Sequence, residues 1–177
     1  TFVASYPPRQ CGIATFTRDT RQAIRQIGGC VQATVIAVNE PGSTFDYPPE
    51  VAWQIDRNAA SSYEEAAEFV NGSNCQIVNV QHEYGLFGGE RGNYLFRFLD
   101  RVHKPVVLTL HTVLPAPDST LREVTRGLIA RADRVIVLAH AATDILWRDY
   151  AVPPDKLRLV PHGVPNVRLV SELGAKR

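Results

Sequence analysis

Polar or glycine-bearing turns follow four strand-like apolar runs, and they hold most of the residues that could do chemistry. These turns contain Gly12, the triplet His82-Glu83-Tyr84, the pair His111-Thr112 and the pair His162-Gly163. In an open α/β sheet, ligands bind outside the carboxyl ends of the strands. We therefore expect three of the five histidines and the glycine turn to line one ligand-binding crevice.

His111 directly follows an apolar, β-branched run and is the leading catalytic candidate. A histidine at this place can exchange hydrogen bonds with a sugar hydroxyl or act as an acid or base. The alternative is a structural histidine that satisfies the carbonyls of its own loop. The strand-end position favours the functional interpretation.

The triplet His82-Glu83-Tyr84 combines hydrogen-bonding groups with an aromatic face, which suits a polyhydroxylated ligand. A divalent metal held by His82, Glu83 and His111 is an alternative and would indicate a metal-assisted hydrolase. The chain has no H-E-x-x-H or other local ligand spacing, so no metal site is predicted. The segment Phe87-Gly88-Gly89-Glu90 indicates either a mobile lip or a structural turn.

Gly12 lies between the first predicted strand and the first helix, where a glycine lets the backbone approach a ligand. The helix N-terminus there offers free N–H groups to a phosphate. The segment is not G-x-G-x-x-G, and Glu40 falls in a proline turn, so a nicotinamide cofactor is disfavoured. A tight turn without a ligand is the alternative.

His162-Gly163 favours a rigid exit from the last strand, with a site-lining role as the second interpretation.

Strand-like and helix-like segments alternate along the chain and must position these turns. The predicted strands are 2–5, 33–38, 51–55, 75–80, 105–110, 134–138 and 157–160, and the predicted helices are 15–27, 62–70, 93–102, 118 or 119 to 132, and 141–150. Their order implies parallel strands joined by right-handed crossovers. The predicted fold class is α/β: a Rossmann-like, doubly wound, mostly parallel sheet of about seven strands with helices on both faces.

Three details of the helices are also predicted. Ala23, Ile24 and Ile27 are expected on the inner face of the first helix. The segment Ser62-Tyr63-Glu64-Glu65 matches a capping box at the start of the second helix. Asp118 or Ser119 is expected to cap the fourth.

The bulk composition is ordinary for a soluble globular domain. Of 177 residues, 45% are hydrophobic and 21% are charged, and the net charge of +1 gives no field for nucleic acid. No apolar run reaches the roughly 18 residues of a spanning helix. Three widely spaced cysteines suit a reducing cytoplasm, and the absence of methionine predicts a trimmed fragment.

Self-contained catalytic machinery is missing from the chain. It has no G-x-S-x-G elbow, no P-loop lysine and no carboxylate pair at comparable strand ends. The strand–helix pattern is lost after position 165, so 1–165 is predicted as one domain and 166–177 as the start of a linker. The chain looks like half of a site.

These motifs, in this order, resemble the N-terminal domain of the retaining glycosyltransferases of family 4, which adopt the GT-B fold. The resemblance covers about 2–165 and rests on Tyr6-Pro7-Pro8 with Cys11-Gly12-Ile13-Ala14-Thr15-Phe16, Gln81-His82-Glu83-Tyr84-Gly85, Leu110-His111-Thr112 and Val160-Pro161-His162-Gly163-Val164. In that family two Rossmann-like domains face each other across a cleft, and the C-terminal one holds most of the donor. The family often carries a second glycine where this chain has Cys11.

The resemblance implies roles for the candidate residues. His111 would be the catalytic residue that touches the transferred sugar. The donor diphosphate would lie against the backbone of four residues, Gly12, Ile13, Ala14 and Thr15. The acceptor side of the substrate site would be formed by His82, Glu83, Tyr84 and Thr112. The implied donor is a UDP- or GDP-sugar, with no tightly bound cofactor.

The implied activity is hexosyl transfer from a nucleotide sugar to the hydroxyl of a sugar or lipid-linked acceptor. It would belong to the full-length protein, with a C-terminal donor-binding domain as partner, and this fragment alone would be inactive. No nucleic-acid partner is expected. The expected location is cytoplasmic, and lipid-linked acceptors leave peripheral attachment to a membrane surface open. A non-catalytic carbohydrate- or nucleotide-binding module is the alternative.

Overall fold

The computed structural model describes residues 1–27, 32–43 and 45–164. Its strands are β1 (Phe2–Ala4), β2 (Val35–Asn39), β3 (Val51–Asp56), β4 (Val78–His82), β5 (Val106–Leu110), β6 (Arg134–Val137) and β7 (Leu157–Leu159). Its helices are α1 (Gly12–Ile27), α2 (Ala60–Gly72), α3 (Leu95–Leu99), α4 (Ser119–Arg131) and α5 (His140–Tyr150), with 3₁₀ turns at Glu90–Gly92 and Pro154–Lys156. The predicted α/β fold class is confirmed, since five helices cover both faces of a seven-stranded sheet.

Every strand pairing in the described sheet is parallel, in the order β3-β2-β1-β4-β5-β6-β7. The chain builds outward from β1 to β3 and then returns to add β4 on the other side of β1, where Val3 pairs with Val80. The loops after β1 and β4 therefore leave the sheet in opposite directions. Such a reversal opens a crevice at the carboxyl edge.

The sheet is buried on both faces, which explains the continuous apolar strands. Val3 and Ile36 belong to one buried cluster, while Phe2 and Val35 belong to a second. These residues alternate along β1 and β2, and alternate side chains of a strand point to opposite faces. Helices must therefore cover the sheet on both sides.

Helix α1 does not pack through the apolar residues predicted for its inner face. Ala23, Ile24 and Ile27 are all exposed, Ile27 by 88%. The buried residues are instead Ala14, Thr17 and Arg21. At 3.6 residues per turn, Ile27 lies roughly 110° and Ala23 roughly 150° from the centre of that stripe. The prediction was wrong because it used the apolar character of the residues and neglected their angular position.

A partly buried ion pair fixes the middle of α1. Arg21 donates from Nε to the Ala33 carbonyl at 2.6 Å and from its guanidinium to Glu50 at 3.0 Å. The Tyr6 hydroxyl donates to the same Glu50 oxygen at 2.9 Å. Burial by itself raises the pKa of Glu50, but the Tyr6 hydrogen bond and the Arg21 charge outweigh it and lower that pKa. The ion pair ties α1 to the segments that enter β2 and β3.

The second and fourth helices start differently. Helix α2 begins at Ala60, and the Ser62 hydroxyl inside it donates to the carbonyls of Asp56 and Ala59, so the predicted capping box is wrong. The hydroxyl is already committed as a donor and accepts no backbone N–H. For α4 the prediction is confirmed, because the Asp118 carboxylate accepts from the Leu121 N–H at 2.7 Å.

The glycine segment after β4 is a structural turn. Phe87 is 1% exposed, and the Gly88 N–H donates to the Tyr63 hydroxyl at 2.9 Å. A Cβ on Gly88 would lie 1.8 Å from the Arg57 carbonyl oxygen, and Gly89 has a φ of +79°. Packing against Arg57, which follows β3, explains Gly88, while the positive φ and the close approach of Asn93 and Tyr94 explain Gly89. The segment is therefore the structural turn of the two interpretations.

Two predictions concern the limits of the domain and its relation to membranes. The predicted boundary at 165 and the linker 166–177 lie outside the described residues. None of the helices that the structure describes is both long and apolar enough to cross a membrane.

We expect Arg21→Met to lower the free energy of unfolding by roughly 2–3 kcal/mol, because it leaves the Glu50 carboxylate largely buried without its cation. Urea denaturation measures the change. Adding Glu50→Gln should recover part of the loss, since the unpaired charge is then removed. An equal loss in Arg25→Met, which changes an exposed arginine of the same helix, would contradict this account.

Candidate functional site

The turns singled out in the sequence meet at the carboxyl edge of the sheet. Gly12 follows β1, Glu83 follows β4 and His111 follows β5. His82 pairs with Leu110, so β4 and β5 end at the same level. The His111 N–H then donates to the His82 carbonyl at 3.0 Å, which extends the ladder by one bond. The three turns therefore lie around the point where the strand order reverses.

The first turn of α1 presents unpaired backbone donors. The Cys11 thiol accepts from the Ala14 N–H at 3.4 Å, and the Cys11 carbonyl accepts from the Thr15 N–H at 3.2 Å. Among the described residues, the N–H groups of Gly12 and Ile13 have no acceptor. A Cβ on Gly12 would meet nothing within 4 Å. This helix N-terminus can therefore bind an anion.

His111 is half-buried and held on two sides. Its Nε2 lies 2.6 Å from the side-chain oxygen of Gln81, whose amide nitrogen donates to Asn79 at 2.5 Å. The Phe16 ring packs edge-on against the imidazole, with ring centroids 4.8 Å apart. The orientation of the imidazole is therefore defined by β4 on one side and by α1 on the other.

The charge state of His111 follows from its surroundings. Burial lowers its pKa to about 4, against an opposing effect of the Glu83 carboxylate and with a smaller lowering effect of His162. The ring is thus neutral near pH 7. A neutral imidazole can hydrogen-bond a hydroxyl, but it cannot serve as a fixed cation for a phosphate.

Glu83 and Thr112 form a second polar group beside His111. The Thr112 hydroxyl donates to one Glu83 oxygen at 2.5 Å, and the other oxygen accepts from the Tyr84 N–H at 3.0 Å. Both side chains are half-buried. A carboxylate oxygen has two lone pairs, so Glu83 can still accept from the hydroxyls of a ligand.

His82 and Tyr84 are placed differently from the other predicted substrate residues. His82 is 0% exposed, and neither ring nitrogen has a partner within the described part of the chain. Its ring lies between Tyr84, at 5.1 Å and perpendicular, and Phe87, at 5.9 Å and stacked. The Tyr84 hydroxyl is hydrogen-bonded to Thr125 of α4 at 3.0 Å. The imidazole of His82 is therefore enclosed behind the cleft wall.

Phe16 was not expected in the cleft, and His162 lies there as the second interpretation of its turn had it. Phe16 lies edge-on to both His111 and His162, with ring centroids 4.8 and 5.4 Å away. His162 is exposed and 6.4 Å from His111, so it lies beside the site as well as at the end of the sheet. Phe16 is four residues after Gly12 and therefore shares its helix face, a signal that could have identified it.

The described residues offer no ligand set for a metal-assisted hydrolase. No group of three or more His, Cys, Asp or Glu side chains among them is arranged to hold a metal ion. The enclosed ring of His82 and the hydrogen-bonded oxygens of Glu83 account for this at the expected place. That alternative therefore lacks structural support.

The carboxyl ends of β2 and β3 carry a charged cluster. Glu40 accepts hydrogen bonds from Arg9 and, at 2.6 Å, from Arg57. In dinucleotide-binding domains the acidic residue after the second strand binds a ribose hydroxyl. The Glu40 carboxylate is instead hydrogen-bonded to two arginines.

We expect His82→Phe to reduce the loss of folding stability that occurs as the pH is lowered. Burial, with a smaller effect of His111, lowers the pKa of His82 to about 3, from 6.5 in the unfolded chain. Only the unfolded state therefore binds this proton between those values, and stability falls as the pH drops below 6.5. The free energy of unfolding, measured by urea denaturation at pH values from 7 to 4, should depend less steeply on pH in the variant than in the wild type, by up to about 1.4 kcal/mol per pH unit. The exposed His103→Phe is the control, and an unchanged slope in His82→Phe would contradict the expectation.

Comparison of the sequence with known proteins identifies the family of the chain. A search of curated proteins found no match to the chain. The model of Glycosyltransferase Family 4, in contrast, matches residues 11–168. This range includes the start of α1, the turns after β4 and β5, and the segment after β7. The chain therefore belongs to Glycosyltransferase Family 4.

Proposed function

We propose that this chain is the acceptor-side N-terminal half of a retaining glycosyltransferase that moves a hexosyl group from a nucleotide sugar to an acceptor hydroxyl. Family membership supports sugar transfer in general. The observation that carries the finer assignment is the open N-terminus of α1, whose Phe16 ring lies 4.8 Å from that of His111. An anion-binding group and a hydroxyl-binding group thus share one cleft.

The N-terminus of α1 is the proposed contact of the donor diphosphate. The free N–H groups of Gly12 and Ile13, with the positive end of the helix dipole, favour negative charge. The same donors stabilise the diphosphate as it leaves with increasing charge. A UDP- or GDP-sugar is the proposed donor, and the transfer needs no tightly bound cofactor in this half.

The sugar and the acceptor are proposed to lie against His111, Glu83 and Thr112. The neutral imidazole and the carboxylate accept hydrogen bonds from hydroxyls, which a sugar presents in excess. A C-terminal domain would close over this cleft and exclude water during transfer. We place the enzyme in the cytoplasm, with a sugar or a lipid-linked acceptor at a membrane surface.

Gly12→Val should weaken donor binding at least tenfold, about 1.4 kcal/mol, because its side chain would occupy the open space in front of the helix N-terminus. Calorimetric titration of the full-length protein with UDP- and GDP-sugars measures this. Gly72→Val is the matched control, since Gly72 also faces open space but lies at the end of α2, before the start of β4, at the edge of the sheet opposite the cleft turns. Equal donor affinity of Gly12→Val and wild type would refute the backbone contact.

His111→Ala in the full-length enzyme should lower kcat/KM for transfer by about 100-fold and leave the protein folded. Product formation from labelled nucleotide sugars measures the first effect, and circular dichroism checks the second. Near-wild-type turnover would remove His111 from the site. Binding of nucleotide sugars without any transfer by the wild-type protein would instead favour a non-catalytic binding module.

A further inference from the structure

Gln81 is a buried amide in a central strand of the sheet, and neither the family match nor the role of His111 accounts for it. It is 1% exposed, and such a group costs free energy unless it is hydrogen-bonded. Both of its polar atoms are used: the oxygen faces Nε2 of His111 at 2.6 Å, and the nitrogen donates to Asn79 at 2.5 Å. A hydrogen-bonded chain therefore runs from Asn79 through Gln81 to His111.

The direction of these hydrogen bonds determines which ring nitrogen of His111 carries the proton. Because the Gln81 nitrogen is the group that donates to Asn79, its oxygen is the group that faces His111. An amide oxygen only accepts, so Nε2 carries the proton, and Nδ1 of the neutral ring is left as an acceptor. Nδ1 has no partner in the described residues, and it is not enclosed as both nitrogens of His82 are.

The ring is also prevented from turning over. The His111 backbone N–H is held by the His82 carbonyl at 3.0 Å, and Phe16 packs edge-on against one side of the imidazole. Gln81 itself is fixed by strand pairing, directly opposite Thr109 of β5. A ring flip would break the Nε2 bond and leave the buried Gln81 oxygen without a donor.

We propose that Gln81 is a positioning residue: it holds His111 in the Nε2–H tautomer and leaves Nδ1 as the hydrogen-bond acceptor for a hydroxyl of the bound sugar. The identity of the ligand rests on the proposed function, whereas the tautomer does not. The titratable groups that act on the ring are Glu83, His162 and the enclosed His82. Burial outweighs the opposing effect of Glu83 on the pKa of His111, His162 acts in the same direction as burial, and the ring stays neutral.

Nuclear magnetic resonance tests the tautomer directly. In ¹⁵N-histidine-labelled protein at neutral pH, long-range ¹H–¹⁵N correlations show which ring nitrogen carries the proton, and His111→Asn assigns the signals. We expect Nε2–H in the wild type and a mixture of both tautomers in Gln81→Leu. Thr109→Val, a buried change opposite Gln81 that removes no bond to His111, should keep Nε2–H. Nδ1–H in the wild type, or an unaltered tautomer in Gln81→Leu, would overturn the proposal.

Gln81→Glu separates positioning from a merely structural role. Its carboxylate still accepts from Nε2–H, and its charge should raise the pKa of His111, so that Nδ1 becomes protonated at a higher pH. The acid limb of transfer by the full-length enzyme should then move to higher pH. Gln81→Leu should lower kcat roughly 10- to 100-fold. A purely structural Gln81 would change the yield of folded protein but leave the acid limb unmoved.

The measurement of the tautomer and the measurement of transfer activity also separate this inference from the proposed function. If the tautomer behaves as expected but the wild-type enzyme transfers no sugar, the proposed function falls and the assignment of the proton stands. If transfer is observed and the tautomer does not depend on Gln81, the positioning role alone is overturned.

Discussion

The parallel pairing of β1 with β4 is the constraint on which the rest of the structure depends. Val3 pairs with Val80 although the two residues are far apart in the chain, and the strand order reverses there. Because both strands run in the same direction, the turns that follow them leave from one edge. The helix N-terminus after β1 and the polar turn after β4 therefore face the same cleft. This pairing is what brings the turn at Gly12 close to the turn at His111.

The cleft gains its chemistry from His111 and the groups that hold it. Gln81 lies in a buried strand and Phe16 in the second turn of α1, and both contact His111. Burial keeps that imidazole neutral, while the nearby N-terminus of α1 supplies positive character through backbone N–H groups. One wall thus offers acceptors for hydroxyls and the other offers donors for an anion. This division suits the nucleotide-sugar donor and the acceptor hydroxyl that we propose as substrates.

Local sequence rules failed where tertiary contacts outweighed them. Ile24 and Ile27 of α1 are exposed, and Arg21 is buried, because the helix contacts the sheet through a stripe that these two isoleucines do not share. The Ser62 hydroxyl donates to carbonyls and so cannot cap α2. His82 looked like a ligand contact, yet β4 turns its side chain into the protein, since alternate residues face opposite sides of a strand. None of these outcomes has a signal within a short window of sequence.

The order of strands and helices, the α/β class and the turns at the carboxyl edge were determined by the sequence itself, because apolar runs and their spacing are local properties of the chain. The family could be inferred from motifs around Gly12, His82, His111 and His162 for the same reason. Only the tertiary structure decided which of those side chains reach the cleft, that His82 is enclosed, and that Gln81 contacts His111 at 2.6 Å. These facts depend on pairing between strands about 30 residues apart, and hydrogen bonds across such a distance leave no periodicity in the sequence.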